Sequence, residues 1–395
     1  MAGPRDETPP PSELDDVFKI VDRLPFLGSL KRDLTQLREL LYDRRTARVL
    51  AIGAKDSGRT SLANALLKMP AIPLGPSEAA PSDQWIRIDA GGRHLDWLEI
   101  ESGTLDDARL ASVRRAIDES APDLVLVLAR ADAIDRDGAT AKETLAQIRA
   151  LLDDAGTSKK PAVLGVVTRV DAIATPEATE QGGARFTTED LGKIDAATLT
   201  LKTILEGGST EKLRRPVPVL AGGSRPDGTP PLRWNVSEVA DAMHDALPTQ
   251  AKVEAVRALD VPAEIRRELA RTIVNHCSAA AVTIGLMPIP FSDAVLLLPL
   301  QGVMVSGVAY LAGQPWDKRA GLEWLGSVGV MGGAAFGLRW GAQQLVKLIP
   351  GAGTLVSGSV AGAGTLAIGR SAIAYFVDGP GHREPHLQLP PDAAG

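Results

Sequence analysis

The sequence predicts two domains of different class: an α/β domain with a mainly parallel sheet covered by helices on both faces, then a hydrophobic all-α domain. Two observations carry this reading. From Arg48 to Ala246 short apolar runs alternate with helical stretches, the pattern of parallel strands joined by crossover helices. Charge density then falls: charged residues fill 75 of the first 262 positions but 17 of the last 133, which sets the domain boundary near Pro262.

Met1 to Glu13 is polar and Pro-rich without an apolar h-region, which argues for a disordered tail and against a signal peptide. Within an N-terminal segment at 14–46, Leu30, Leu34, Leu37 and Leu41 recur at helical spacing. This amphipathic helix is expected to pack on the α/β domain rather than to anchor a membrane. The α/β domain, 47–249, has strands expected at Val49–Ile52, Trp85–Ile88, Leu95–Ile100, Leu124–Leu128, Val163–Val167 and Val217–Leu220. Helices are expected at Ser61–Leu67, Ala108–Ile117, Ala141–Leu152, Leu191–Leu205 and Val236–Ala246. A linker at 250–262 would lead into the helical domain, 263–378, and a Pro-rich disordered tail would close the chain at 379–395. Ile289-Pro290 and Ile349-Pro350 each interrupt an apolar stretch, suggesting two related hairpins.

Composition narrows the function. Aromatic residues are 4% of the chain and the net charge is −6, so base stacking is not the main activity and nucleic acid is not an expected partner. Cys277 is the only cysteine, which excludes an internal disulfide and fits a reducing compartment. His382 and His386 are four apart with Pro385 between them, a poor arrangement for a metal.

The segment that carries chemistry runs Gly53-Ala54-Lys55-Asp56-Ser57-Gly58-Arg59-Thr60-Ser61. It fits the phosphate-binding pattern G-x-x-x-x-G-K-[ST] at every fixed position except the lysine, here Arg59. An apolar strand leads in and a helix leads out. The glycines let successive amide N–H groups face an anion, and the helix adds its positive end. Thr60 would offer its hydroxyl to Mg²⁺. Arginine is bulkier than lysine and not interchangeable with it, so phosphate binding is expected to survive better than hydrolysis.

A second segment, Thr168-Arg169-Val170-Asp171, ends an apolar strand and is similar to the guanine-specifying [NT]-K-x-D motif, again with Arg for Lys. Asp171 would accept hydrogen bonds from guanine N1–H and the exocyclic amine, donors that adenine lacks there. A third segment, Ala221-Gly222-Gly223-Ser224, resembles the loop that closes over the guanine oxygen, though an ordinary Gly-rich strand exit reads equally well. The metal-holding D-x-x-G aspartate has no direct counterpart. With Gly103 as the motif glycine, Ile100 takes its place, and Glu99 or Glu101 would serve only by a register shift. Thr104 stands where a water-orienting glutamine is expected, and Ser82 is a weak switch residue.

Together, residues 48–247 resemble the Era/TrmE-like branch of P-loop GTPases. Residues 263–378 resemble the bacterial domain-of-unknown-function family numbered 697. That second likeness rests on Pro288-Ile-Pro290 with Asp293, Gln301 and Met304, and on Gln344 to Gly351 with Gly369 to Phe376. The resemblance implies a GTP/GDP-binding protein with Mg²⁺ at the cytoplasmic face of an inner membrane, with a lipid surface and self-association as further partner options. The departures at positions 59, 100 and 169 imply a slow or partner-dependent GTPase, or a pseudo-GTPase scaffold that holds nucleotide without turnover. The apolar runs Thr272–Ser292, Ala294–Gly313 and Leu348–Gly369 are equally consistent with re-entrant or interfacial hairpins and with a soluble bundle of small-residue helices.

Overall fold

The computed structural model describes residues 28–67, 83–89, 93–156, 160–179, 183–207, 213–222, 232–286, 296–316 and 353–379. The chain divides into two compact units. One comprises Thr46–Pro262; the other combines Met1–Arg45 with Ala263–Gly395.

The Thr46–Pro262 unit is the expected α/β fold. Its strands are β1 (Ala47–Gly53), β2 (Ile86–Asp89), β3 (His94–Glu101), β4 (Leu124–Arg130), β5 (Ala162–Thr168) and β8 (Val217–Pro218), in the order β2-β3-β1-β4-β5-β8. All neighbours are parallel except β2, which runs antiparallel to β3 at the edge. A small antiparallel pair, β6 (Glu177–Ala178) and β7 (Ala184–Arg185), lies outside this sheet. β1 and β4 are buried almost throughout, as near-continuous aliphatic strands must be when both faces are covered.

The alternating helices are α2 (Arg59–Leu66), α3 (Asp107–Glu119), α4 (Ile134–Asp154), α5 (Thr188–Glu206) and α6 (Val236–Ala246). Side chains start two of them: Asp106 Oδ1 accepts from the Arg109 amide at 2.8 Å, and Thr187 Oγ1 accepts from the Asp190 amide at 3.2 Å. The stretch expected to be a linker at 250–262 is instead largely a helix, α7 (Thr249–Ala258), packed on β1 and β3. Ala251, Val253, Ala255 and Val256 are fully buried, and Arg257 is buried beside Glu254 at 4.0 Å. The interspersed charges gave this segment a polar look, but its aliphatic face completes the core of the unit.

The other unit is helical: α1 (Gly28–Leu41), α8 (Ala263–Leu286), α9 (Leu298–Leu311) and α10 (Gly353–Ala372), extended by a wide turn at Ile373–Val377. The apolar face of α1 is fully used here, with Leu30, Leu34, Leu37 and Leu41 at 0% exposure against α8. This corrects the expectation that α1 packs on the α/β domain; its leucine stripe matches a helix, not a sheet. α8 and α10 pack antiparallel, Gly369 seated on Val274 and Gly362 on Val282, because small residues let the backbones approach closely. Gln301 donates to Thr365 at 3.0 Å in the interior between α9 and α10. By length and composition Gly358–Val377 suffices to cross a membrane, with mean hydropathy 1.4 over the window and 39% of it buried. The Pro288–Pro290 and Ile349-Pro350 breaks and Asp293 lie outside the described residues, as do the expected tails at 1–13 and beyond Gly379.

A candidate nucleotide site at the carboxyl ends of the strands

β1 delivers Gly53 to the carboxyl edge of the sheet, where Ala54, Lys55 and Asp56 turn the chain back toward α2. The Ser57 amide donates to the Ala54 carbonyl at 3.0 Å, closing the turn. Asp56 and Gly58 take positive φ, 62° and 83°. A Cβ on Gly53 would collide with Ser57 Oγ and press on Leu128 Cβ and its carbonyl at 3.1 Å, so the loop fits only around glycine. Gly58 begins α2 with no side-chain cap, leaving the first-turn amides free for an anion. Lys55 and Asp56 are exposed, Ala54 and Ser61 half-buried. Ser57 is 1% exposed, and its hydroxyl has no partner among the described residues.

Arg59 turns inward. Its Nη1 donates to the Gly53 carbonyl and to the Ala54 carbonyl, the latter at 2.8 Å, and its Nε faces Glu99 Oε2 at 3.4 Å. Thr60 Oγ1 donates to Glu99 Oε1 at 2.9 Å, and Trp97 Nε1 donates to the same oxygen at 3.0 Å. Glu99 is therefore the acidic partner of the loop threonine, buried at 5% exposure with three donors around it, as a buried carboxylate requires. Strand alternation explains the register. Trp97 and Glu99 share a face of β3, whereas Ile100 points to the opposite side and joins the apolar core. Glu101 is exposed, and the carboxylate bonded to Thr60 is that of Glu99. A hydroxyl beside a carboxylate is an oxygen donor set suited to a small hard cation, so Thr60 and Glu99 fit Mg²⁺ by their chemistry.

The residues of the Thr168–Asp171 segment and of Ala221–Gly222 sit at and beyond the ends of β5 and β8. Thr168 is 3% exposed, and its Oγ1 lies 2.7 Å from the Ser57 carbonyl and 3.4 Å from that of Ala129. It fastens the end of β5 to the phosphate loop. Arg169 then takes φ 53° and is exposed, Val170 is buried as an anchor, and Asp171 is presented to solvent. The Val219 amide donates to the Val167 carbonyl at 2.8 Å, which carries Ala221 and Gly222 past the end of the same strand pair. Gly222 has φ 70°, and Gly223 and Ser224 lie outside the described residues. So does Ser82, while Thr104 is exposed.

One pair escaped the sequence reading. Arg130, the last residue of β4, donates to buried Asp137 at 2.8 Å. The guanidinium pKa is raised, chiefly by that hydrogen bond, with the charges of Asp137, Asp132 and the loop residue Asp56 adding to it. Position at the carboxyl end of a buried strand was the signal that could have found it.

No family model matches this chain, and no curated protein matches it in sequence. Several solved structures align with it at low similarity. The FeoB G-domain from Methanococcus jannaschii is 16% identical, covering 51% of this chain and 97% of that one, with TM-score 0.28. Toc33 from Arabidopsis thaliana is 16% identical, covering 59% and 94%, with TM-score 0.35. Era, in complex with MgGDPNP and a segment of 16S ribosomal RNA, is 16% identical, covering 60% and 67%, with TM-score 0.28.

Proposed function

We propose that the Thr46–Pro262 unit binds a guanine nucleotide with Mg²⁺, and that it is a slow or partner-dependent GTPase coupled to a membrane-associated helical unit. The observation that carries this reading is the joined geometry of two loops. An uncapped helix start behind Gly53 and Gly58 supports phosphates, while Thr168 ties that loop to the segment presenting Asp171. In this reading the amides from Ala54 to Ser61 cradle the phosphates, and Thr60 with Glu99 holds the cation. A Mg²⁺ ion held there would supply positive charge to offset that developing on a phosphoryl group. Asp171 selects guanine, with Arg169 lying over the base and Ala221 and Gly222 bounding it.

The second reading, a scaffold that holds nucleotide without turnover, is favoured by Arg59. Its guanidinium is engaged with two loop carbonyls and Glu99, so reaching a γ-phosphate requires these contacts to break. One experiment addresses both readings: fluorescent GTP and ATP analogues titrated into the full chain, followed by phosphate release under single turnover. Preference for GTP with slow release supports a slow GTPase, and preference for GTP with no release overturns the slow GTPase in favour of the scaffold or a partner-dependent enzyme. Equal affinity for both nucleotides overturns the guanine assignment.

A further inference from the structure

The helical unit contains a cavity of about 530 Å³ between α8 and α10, and its lining is of two kinds. Arg267, Arg271 and Arg370 surround it with the Asn275 side chain, while Val274, Leu366 and Ile373 supply apolar walls. Arg267 is already engaged: Asp378 binds it at 2.8 Å, and that hydrogen bond is the main cause of its raised pKa. Arg271 and Arg370 pair with no carboxylate among the described residues, and both are exposed to the cavity mouth. Counting Asp378, the lining is left with an excess of two positive charges.

The position of these charges in the unit is informative. Because α8 and α10 run antiparallel, with Gly369 on Val274 and Gly358 beside Leu286, the arginines of both helices gather at one end. Beyond Arg271, α8 continues to Leu286 without a formally charged residue, and α10 has none before Arg370. At 1.5 Å per residue this uncharged arm is ~22 Å long, deeper than one leaflet of a hydrocarbon core about 30 Å thick. Leu286, at its far end, is 38% exposed. α1 packs on another face of α8, where Asp33 bonds His276 at 2.9 Å, so it is the remaining uncharged faces of α8 and α10 beside the arginines that suit an interface with guanidinium groups at lipid phosphates.

We infer that the Arg271–Arg370 cavity is a binding site for the headgroup of an anionic phospholipid, with its acyl chain lying against half-buried Leu366. Two guanidinium forks can each take two phosphate oxygens, and Asn275 adds an amide donor. The apolar wall distinguishes this ligand from a free phosphate, which would leave half-buried Leu366 uncovered. The inference rests on the membrane part of the proposed function and is independent of the nucleotide part.

The test is flotation of the full-length chain with vesicles of phosphatidylcholine alone, or with phosphatidylglycerol at one lipid in five. An arginine at an anionic surface contributes about five-fold in affinity, so Arg271→Gln with Arg370→Gln should weaken binding to the anionic vesicles about 25-fold. The pair Arg214→Gln with Arg215→Gln removes the same charge from exposed positions in the other unit, and should leave binding within about two-fold. Circular dichroism checks that both variants fold. Equal losses for the two pairs, or none for the first, would overturn the site. Inorganic phosphate that displaces the anionic vesicles at millimolar concentration would overturn the choice of lipid over free phosphate. Tight binding to phosphatidylcholine, indifferent to both substitutions, would defeat the site and leave membrane association standing; no binding to any vesicle would defeat both.

Discussion

Replacing Glu99 by glutamine separates two roles that this buried carboxylate could play, because each fixes a different observable. The substituted amide would keep an oxygen for the Thr60 hydroxyl and the Trp97 N–H, so the contacts at 2.9 and 3.0 Å survive. Its NH₂ group would face Arg59 Nε, donor against donor, and the ion pair at 3.4 Å is lost. A hydrogen bond to a charged group contributes about 1.5–3 kcal/mol, but this one is long, and Arg59 retains the Gly53 and Ala54 carbonyls. Removing a buried negative charge also relieves desolvation. The net cost is therefore on the order of 1–2 kcal/mol, or about 2–8 °C in Tm for a unit of this size. If Glu99 holds the cation with Thr60, the same change should weaken Mg²⁺ about 10–100-fold, the usual cost of a lost supporting ligand. Thermal unfolding without nucleotide, and nucleotide affinity titrated against Mg²⁺, read the two effects separately. A fall of more than about 10 °C with unchanged Mg²⁺ dependence would refute the reasoning and make Glu99 purely a structural partner of Arg59.

Three further outcomes are expected. Arg59→Lys should raise single-turnover phosphate release on the order of 10²-fold if the loop is catalytic, since a lysine reaches between phosphates where the arginine is held by loop carbonyls; an unchanged rate favours the scaffold. Asp171→Asn should shift preference from guanine toward xanthine nucleotides, measured by competition, without altering Tm because Asp171 is exposed. The His244 imidazole is pushed down to about 4, first by burial and then by Lys252, with Asp245 opposing. The unfolded chain takes up its proton near 6.5, so His244 destabilises the fold progressively as pH falls from about 6.5 to 4, by up to about 3 kcal/mol. Denaturant unfolding of His244→Gln should lose this slope, and an equal slope in the variant would assign acid sensitivity elsewhere.

How much of this was legible depended on the kind of signal. The Gly53–Thr60 turn is local chemistry, and strand, loop and helix occur where the pattern places them. The base-recognition motif assigns Thr168 to the nucleotide, yet its hydroxyl bonds the phosphate loop across 111 positions of sequence, a relation that no spacing encodes. Glu99 was obscured because counting back from Gly103 lands on Ile100, while the two-residue alternation of β3 turns position 99, not 100, toward Thr60. α1 and α7 show the other limit. Amphipathicity says that a helix has a partner, but Leu30 to Leu41 carry no mark that the partner is α8, more than 200 residues away. The interleaved charges of 250–258 concealed a helix whose Arg257 is buried, with Glu254 one turn away as its ion-pair partner.

The Thr168 hydroxyl lies against two carbonyls, that of Ser57 in the Gly53–Thr60 loop and that of Ala129 in β4, and that has a mechanical consequence. The phosphate loop and the segment that presents Asp171 are pinned through one side chain, so neither can swing outward without carrying or breaking the bond to Ser57. Force applied at the end of β5 would therefore be transmitted to the Gly53–Thr60 loop, and under the proposed function a partner acting at the Asp171 segment alone would loosen the loop assigned to the phosphates.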